Sequence, residues 1–348
     1  MRKANSEALA IAKRIHSFLT VYTPSLQGQS ANTVRSHETA ISLFLGFLES
    51  DQNVTPATLC SIFFNRDMIE KWLLWLRDVR GCAPQTCNVR LASLRAFLRY
   101  LGDTEVSMLH ISHNASAIPL MKVAKKKVEG MSKEAVKALM ETPDTSTPTG
   151  RRDLALIVAI YATAARLDEI LSLKIKHLHL ISKEAYVTVV GKGNKTRSLF
   201  LLPKAAAHLR RHLIEFHGDA PDNESYVFYS RIDGKKSKLS QAAVSKRLRI
   251  YAEVAREHCH EVPVALHAHQ LRHAKASHWL EDGMNIVQIS FLLGHENLET
   301  TMVYLDVSIE QKSLALGKLE DAHIKAMPKK WKGSPDSLSS YCGVKPLR

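Results

Sequence analysis

A lysine-rich stretch over residues 113–130 interrupts the helical pattern of apolar residues along the chain, and this break constrains how the chain can fold. It contains Lys125, Lys126 and Lys127 in a row and presents no apolar face that could pack, which is typical of a linker. With 348 residues, the chain is long enough for two domains that each bury a core. We therefore predict a first domain at 1–112, a basic linker at 113–130, a second domain at 131–322 and a basic, loose tail at 323–348.

Apolar residues before the linker recur at helical spacing. Ser30 or Asn32 is expected to cap a helix that runs to Glu49, because short polar side chains accept hydrogen bonds from the first turn. Asn65 is expected to cap a second helix, and Thr86 to open a third. Each of these helices has one apolar face, which predicts a small helical bundle.

Residues 185–202 predict a β-hairpin in the second domain. The β-branched run 185–190 is followed by a turn and a return at 197–202, which places Lys192 at the bend. Residues 226–230 are a candidate for a short third strand. Helical patterns start at Ser132, cover 240–256 and 269–281, and continue through Tyr304 to about residue 322. The predicted fold is therefore mainly α with a small antiparallel β-sheet (α+β).

The charge balance favours a polyanionic partner. There are 48 Lys and Arg residues against 34 Asp and Glu residues, which gives a formal net charge of +14. Nucleic acid is the leading candidate; a membrane surface is the rival. No apolar run approaches the roughly 20 residues that a membrane span requires, and the first residues lack the apolar core of a signal peptide. We expect no membrane partner and a cytoplasmic, nucleoid-associated protein.

Cysteine and histidine usage gives no support for a metal site. The 5 cysteines are scattered and without a secretory signal, so free thiols are expected. His258, Cys259 and His260 are of metal-ligating types, but adjacent residues cannot all face one ion, and no Cys-x-x-Cys accompanies them. We therefore expect no metal, and interpret these histidines as solvated groups near bound phosphates.

Several side chains could together break a phosphodiester. A phenol such as Tyr304 can attack phosphorus and form a phosphate ester, which a sugar hydroxyl can later attack in return, so the bond energy is kept. Arginines stay protonated and can grip two phosphate oxygens, and each good donor contributes about 3 kcal/mol to the transition state. A desolvated lysine and histidines can transfer protons. The candidates are Arg166, Lys192, His269, Arg272, His295 and Tyr304.

These residues occur in the signatures Leu271-Arg-His, Leu293-Gly-His and Thr300-Thr-x-x-Tyr. In order and approximate spacing they resemble the tyrosine recombinase (phage integrase) family, over roughly residues 6–321. The resemblance implies a C-shaped, two-domain DNA clamp, in which a helical SAM-like core-binding domain and a C-terminal catalytic domain close around a duplex. It implies an enzyme without cofactor, metal or ATP, with Tyr304 as the nucleophile that forms a 3′-phosphotyrosyl link. The five other candidates would activate the phosphate, and Glu169 would orient the first arginine.

The same resemblance implies the partners. They are double-stranded DNA with inverted half-sites, further copies of the chain in a tetrameric synapse, and accessory recombination proteins. We expect the protein to serve a mobile element by integrating, excising or resolving DNA. Residues 308–322 resemble the helix that follows the nucleophile, and from sequence this helix can dock either on a neighbouring subunit or within its own chain.

Further basic residues are candidates for DNA contact. The arginines on the solvent-facing side of the third predicted helix could contact phosphates or could equally form a solvated face. The linker lysines would follow the phosphate backbone. The candidates are Arg90, Arg95, Arg99, Lys125, Lys126, Lys127, Lys195 and Arg197.

One departure from the family pattern affects the backbone. The family usually has glycine two residues before the first arginine, where this chain has Ala164. A methyl group should be tolerated there if the backbone is helical, so the residue bears on the geometry of the local turn.

Two other functions use the same residues differently. A type IB topoisomerase shares the cleavage chemistry and would relax supercoiled plasmid without sequence preference or strand exchange. A DNA-binding protein or excision factor could keep the fold without catalysis. The complete set of six candidate residues argues against this last alternative.

Overall fold

The computed structural model describes residues 4–124, 130–181, 184–191 and 195–294. The chain divides into two compact units, residues 1–126 and 127–348. Within the described ranges, no helix has both the length and the apolar character needed to cross a membrane.

The first unit is helical. Its helices are α1 (Ser6–Ser17), α2 (Ala31–Asp51), α3 (Arg66–Asp78), α4 (Pro84–Thr104) and α5 (Leu109–Ser116), with a π-helical stretch at Phe18–Leu26 and 3-10 turns at Ser61–Phe64 and Val106–Met108. The predicted caps at Ser30 and Asn65 are confirmed, since each side chain accepts a hydrogen bond from the first turn of its helix. The start predicted at Thr86 is wrong: α4 begins at Pro84, a residue that suits the first position of a helix because it has no amide hydrogen to satisfy.

Aromatic side chains fill the core of this unit. Phe44 of α2 and Trp72 of α3 are fully buried and pack edge to face, with ring centroids 5.4 Å apart. Phe97 of α4 is also fully buried and completes the contact between the long helices. The apolar stripes read from the sequence thus face one another.

The first unit extends past residue 112. Helix α5 continues to Ser116, and Ile118 is only 4% exposed. Ile111, Ala115 and Ile118 recur at helical spacing and are buried, so this segment packs against the core of the first unit. Asn88 of α4 then exchanges two hydrogen bonds of 2.9 Å with the backbone of Met121.

The second unit combines helices with two small sheets. Its helices are α6 (Lys133–Glu141), α7 (Pro148–Thr163), α8 (Leu167–Leu171), α9 (Pro203–His217), α10 (Gln241–His258), α11 (Ala268–Glu281) and α12 (Ile286–Leu293), with a 3-10 turn at Ile175–His177. Its strands are β1 (Leu178–His179), β2 (Tyr186–Val190), β3 (Thr196–Phe200), β4 (Tyr229–Ser230) and β5 (Gly234–Lys238). The cap predicted at Ser132 is confirmed, since its hydroxyl accepts from the amide of Ala135 at 3.1 Å.

The predicted hairpin is confirmed. β2 and β3 pair antiparallel from Tyr186 opposite Phe200 to Val190 opposite Thr196. Val187 and Val189 alternate toward the core and are almost fully buried, as expected for a sheet with one packed face. The position of the third strand differs from the prediction: β1 completes this sheet, whereas β4 pairs with β5 in a separate sheet.

The main core of the second unit lies around α7. Ile157 and Ile160 of this helix are buried, together with apolar residues of the hairpin and of α9, α10 and α11. Helix α12, which was not predicted, packs through Ile289 and Leu293 in a smaller cluster with Ala164 and Ala276. The helix predicted through Tyr304 lies outside the described residues.

Candidate active site

The first candidate arginine follows a left-handed turn. Ala164 ends α7 with φ 49° and ψ 23°, and its side chain is fully buried. The backbone at this residue is therefore left-handed, and the helical geometry in which a methyl group is readily tolerated is not present. Since a left-handed residue ends the helix, α8 starts anew with Arg166 as its N-cap residue.

Glu169 binds two guanidinium groups. Its Oε1 accepts from Nη1 of Arg166 at 3.1 Å and from Nη1 of Arg197 at 3.0 Å. Its Oε2 accepts from Nη2 of Arg197 at 2.8 Å and from the backbone amide of Arg166 at 2.8 Å. The side chain of Glu169 is only 6% exposed, whereas that of Arg166 is 42% exposed. The acid is thus an interior anchor, and the arginine that it holds faces outward.

The ionisation of Glu169 is secured by these partners. Burial acts to raise the pKa of this carboxyl, but hydrogen bonds from Arg197 and from the Arg166 amide, with the two positive charges, outweigh burial and leave the pKa below its usual value. The carboxylate is therefore charged at neutral pH and holds both guanidiniums.

Arg272 of α11 is also bound within the protein. It is 1% exposed, and its Nη1 donates to the carbonyl of Ala164 at 2.8 Å while its Nη2 donates to the carbonyl of Leu293 at 2.8 Å. The left-handed turn before Arg166 and the end of α12 are therefore both tied to this guanidinium.

His269 lies one helical turn before Arg272. Partial burial lowers its pKa, and the nearby positive charges of Arg272, His267 and Arg166 lower it further. At this spacing on one helix, the side chains of His269 and Arg272 lie on the same face. Its ring also meets that of His273 edge to face, with centroids 4.5 Å apart. A neutral imidazole near guanidiniums can accept or donate a proton at neutral pH.

The C-terminal end of α12 receives hydrogen bonds from two arginines. Arg197 donates from Nε to the carbonyl of Leu292 at 3.3 Å, and Arg272 donates to that of Leu293. Gly294 then ends the helix in a left-handed conformation with φ 65°. Cations near the last carbonyls of a helix offset its partial negative charge, so both contacts stabilise this end. The site as a whole is cationic and suits an anion.

The Phage integrase family model matches residues 129–311, more than half of the chain. The chain belongs to the phage integrase family. A tyrosine recombinase, XerD of Listeria innocua, is 30% identical over 287 residues, covering 81% of this chain and 90% of the relative. The protein is accordingly a tyrosine site-specific recombinase.

Solved structures of recombinases share the fold. The XerH recombinase bound to its difH substrate aligns with a TM-score of 0.65 at 18% identity, over 92% of this chain and 99% of that one. The integrase of transposon Tn1549 in complex with transposon right-end DNA aligns with a TM-score of 0.67 at 13% identity, over 90% and 99%. At these identities the likeness establishes the fold alone.

Four of the predicted catalytic-site residues are described: Arg166 contacts Glu169, and Arg272, one helical turn after His269, donates to the carbonyl of Ala164 just before Arg166. The remaining catalytic candidates lie outside the described residues: Lys192, His295 and Tyr304. Gly191 is described, immediately before Lys192, and so is Gly294, immediately before His295. Both glycines lie against the guanidinium of Arg197.

Arg197 has a different environment from the one predicted. It was expected to contact DNA, yet its side chain is only 15% exposed, and it donates to Glu169 and to the carbonyl of Leu292. No sequence signal identifies this role, because the need for a second cation arises from the burial of Glu169, which only the structure shows.

The other DNA-contact candidates differ in their surroundings. Arg95 donates from Nε to the carbonyl of Ala115 at 2.8 Å and also donates to the carbonyl of Ile118, which favours a structural role at the end of α5. Arg99 and Lys195 are exposed, and Arg90 is half-buried. Lys125, Lys126 and Lys127 lie outside the described residues.

The histidine and cysteine cluster near residue 259 forms no ligand set in the described ranges. No three His, Cys, Asp or Glu side chains of those ranges come together as a metal site would require. His258 and His260 flank the end of α10, where Cys259 follows its last residue.

Proposed function

We propose that this recombinase cleaves and rejoins DNA strands through a 3′-phosphotyrosyl intermediate, with Tyr304 as the nucleophile. The phenolic oxygen forms a bond to phosphorus while the bond between phosphorus and the 5′ oxygen breaks. One phosphate ester replaces another, so the 5′ hydroxyl of the partner strand can later reverse the step without ATP. Exchange of strands between two duplexes then proceeds through a Holliday junction.

Arg166 and Arg272 stabilise the negative charge that develops on the nonbridging oxygens. Guanidiniums are permanently charged and bind two oxygens at once, and each such donor contributes about 3 kcal/mol when it is held in place beforehand. Two of them supply the charge neutralisation for which other nucleases use a divalent metal.

Three further residues act on protons. Lys192 provides a proton to the departing 5′ oxygen, since an ammonium beside other cations loses its proton more readily. His269 exchanges a proton with Tyr304 or donates to the phosphate, in line with its lowered pKa. His295 donates to the remaining phosphate oxygen.

One observation carries this proposal: Arg272, one helical turn after His269, donates to the carbonyl of Ala164, two residues before Arg166, and the buried carboxylate of Glu169 holds Arg166. These groups come from α8 and α11, which are far apart in the sequence. Their convergence produces a cationic site with a neutral imidazole, which is what a phosphodiester in its transition state requires.

The proposed substrate is double-stranded DNA with inverted half-sites. Four copies of the chain would synapse two duplexes, with accessory proteins where the element needs them, and the reaction would integrate, excise or resolve a mobile element. Arg90, Arg99, Lys195 and the linker lysines 125–127 are the proposed phosphate contacts, which fix register on the duplex. The relatives support this substrate, because the XerH and Tn1549 recombinases were solved with DNA.

The test uses a nicked suicide substrate, from which the cleaved 5′ fragment diffuses away. The unmodified chain should accumulate a covalent protein–DNA adduct that survives denaturation, whereas Tyr304→Phe should bind DNA with unchanged affinity and form no adduct. An adduct that persists in this variant would refute the assignment. Plasmid relaxation without sequence preference or strand exchange would instead favour a type IB topoisomerase.

A further inference from the structure

Arg197 lies where three segments of the second unit meet. It projects from β3, grips both carboxylate oxygens of Glu169 in a fork with distances of 3.0 and 2.8 Å, and donates from Nε to the carbonyl of Leu292 at 3.3 Å. Two parallel hydrogen bonds between a guanidinium and a carboxylate fix orientation as well as distance. Arg197 therefore sets the position of α8 relative to the hairpin and to the end of α12.

Two glycines make room for this guanidinium. A Cβ atom added to Gly191 would lie 3.1 Å from Nη1 of Arg197, and one added to Gly294 would lie 3.0 Å from its Cζ. Both distances are shorter than ordinary van der Waals contact, so any side chain at either position would displace the arginine. Because Gly191 precedes Lys192 and Gly294 precedes His295, the guanidinium packs on the backbone next to two proposed catalytic residues.

The structure assigns Arg197 the role of a positioning residue for strand cleavage: it holds Glu169, and through it Arg166, in register with the backbone that leads into Lys192 and His295. This inference rests on the proposed function, since those residues act there on the phosphate. It replaces the phosphate contact that the sequence suggested for Arg197.

The different roles of Arg197 and Arg166 follow from their different solvent exposure. Arg197 is 15% exposed, whereas Arg166 is 42% exposed and shares only Oε1 of Glu169 through its side chain. Arg197 satisfies most of the buried charge, so Arg166 can turn toward a ligand while Glu169 remains ionised. Without Arg197, both the acid and Arg166 would lose their fixed geometry.

The experiment compares Arg197→Gln and Arg197→Lys with the unmodified full-length chain. Single-turnover adduct formation at saturating DNA should fall about 100-fold in both variants, because an error of about 1 Å in a reacting constellation has that effect. DNA affinity and its salt dependence should stay unchanged. Arg197→Lys keeps a cation beside Glu169, so it should fold even if Arg197→Gln does not, and it cannot form the fork.

Arg210→Gln is the matched control. Arg210 likewise donates to a backbone carbonyl, that of Leu180, and within the described residues its hydrogen bonds do not involve Glu169. It should change thermal stability without changing the cleavage rate. A loss of cleavage in Arg210→Gln equal to that of the Arg197 variants would mean that general loosening of the unit explains both.

A pH profile separates positioning from a merely structural role. The charged groups set against Glu169 in the described structure are Arg166 and Arg197, and the hydrogen bonds of Arg197 help to keep the pKa of Glu169 low. In Arg197→Gln the cleavage rate should therefore begin to fall at a higher pH, as pH decreases, than in the unmodified chain. Adding Glu169→Gln to that variant should remove the shift.

Two results would overturn the inference while leaving the proposed function intact. One is weaker DNA binding, with a salt slope reduced by about 1 and normal cleavage at saturating DNA, which would make Arg197 a phosphate contact. The other is unchanged affinity together with unchanged cleavage. If the unmodified chain itself forms no adduct, the proposed function fails instead.

Discussion

Arg272 and Ala164 are joined by a hydrogen bond of 2.8 Å, from Nη1 of the arginine to the carbonyl oxygen of the alanine. That carbonyl points at Arg272 because Ala164 adopts a left-handed conformation, which few residues other than glycine adopt readily. The turn therefore does more than end α7. It links the backbone just before Arg166 to Arg272, the second proposed phosphate clamp.

Replacing Ala164 by glycine should change stability little. Relief of left-handed strain contributes about 1–2 kcal/mol, while loss of a buried methyl costs about 0.8 kcal/mol and the freer unfolded glycine about 0.4–1 kcal/mol. We expect a net change within about 1 kcal/mol and full cleavage activity. Ala164→Val should instead lose about 3 kcal/mol or more, because a branched side chain is strained there and overpacks the cluster with Ile289. Chemical denaturation measures both, and equal stability of the two variants would contradict the left-handed turn.

The two proposed phosphate clamps should respond differently to substitution. Arg166→Gln removes a partly exposed ion pair, so stability should change by no more than about 1 kcal/mol while cleavage falls about 100- to 1,000-fold. Arg272→Gln should lose cleavage and also about 2–5 kcal/mol, because the buried carbonyls of Ala164 and Leu293 lose their donor. Thermal unfolding beside single-turnover adduct formation separates the two effects. A large stability loss in Arg166→Gln would show that this arginine also supports the fold.

Local patterns made much of this fold predictable. Caps such as Ser30, Asn65 and Ser132 act within one helical turn, and the alternation of Val187 and Val189 reflects a single packed face, so both are visible in the sequence. The start of α4 at Pro84 was missed because proline replaces a side-chain cap there. The short strand β1 was missed because its pairing with β2 depends on tertiary contacts.

The residue types of the candidate site could be predicted from the sequence, but the contacts between them could not. Motif spacing identified Arg166, Glu169, His269 and Arg272. The structure shows Arg166 in contact with Glu169, and Arg272 hydrogen-bonded to the turn just before Arg166. Spacing could not show whether Arg197 binds Glu169 or contacts DNA, because an arginine that follows a hairpin bend can do either. Nor could it show that Ala164 is left-handed, since that depends on how α7 meets Arg272.

Arg95 and Arg99 lie on the same helix, but changing each to alanine should affect different properties: stability for Arg95 and the salt dependence of DNA binding for Arg99. Arg95→Ala leaves the carbonyls of Ala115 and Ile118 without their donor, so it should destabilise the first unit by about 1–3 kcal/mol and leave the salt slope of DNA binding unchanged. Arg99→Ala should leave stability unchanged and reduce the slope by about 1, because Arg99 is a proposed phosphate contact. Binding titrations at several salt concentrations, with calorimetry of the same variants, measure both. A reduced slope in Arg95→Ala would return that residue to the DNA interface.

Acid should destabilise the second unit through His212. Its ring is 3% exposed, and its Nε2 donates to the carbonyl of Val227 at 2.9 Å, as does that of His217 at 3.1 Å. Among the described residues Nδ1 of His212 has no hydrogen-bond partner, so protonation would bury an unsatisfied N–H. Burial, offset in part by the hydrogen bond to Val227, lowers the pKa of His212 to about 4.

Because this folded-state pKa lies below the unfolded value, the unfolded chain binds the proton first as pH falls. The stability that His212 contributes is thus complete above about pH 6.5 and is lost as pH falls toward about 4, by roughly 3 kcal/mol in all. His212→Gln can still donate to the Val227 carbonyl but cannot titrate, so near about pH 5 its unfolding should take up about one proton fewer. Calorimetry of the full chain between about pH 5 and about pH 7.5 measures this difference, and parallel pH dependence in the variant and the unmodified chain would show that His212 is not the group that titrates.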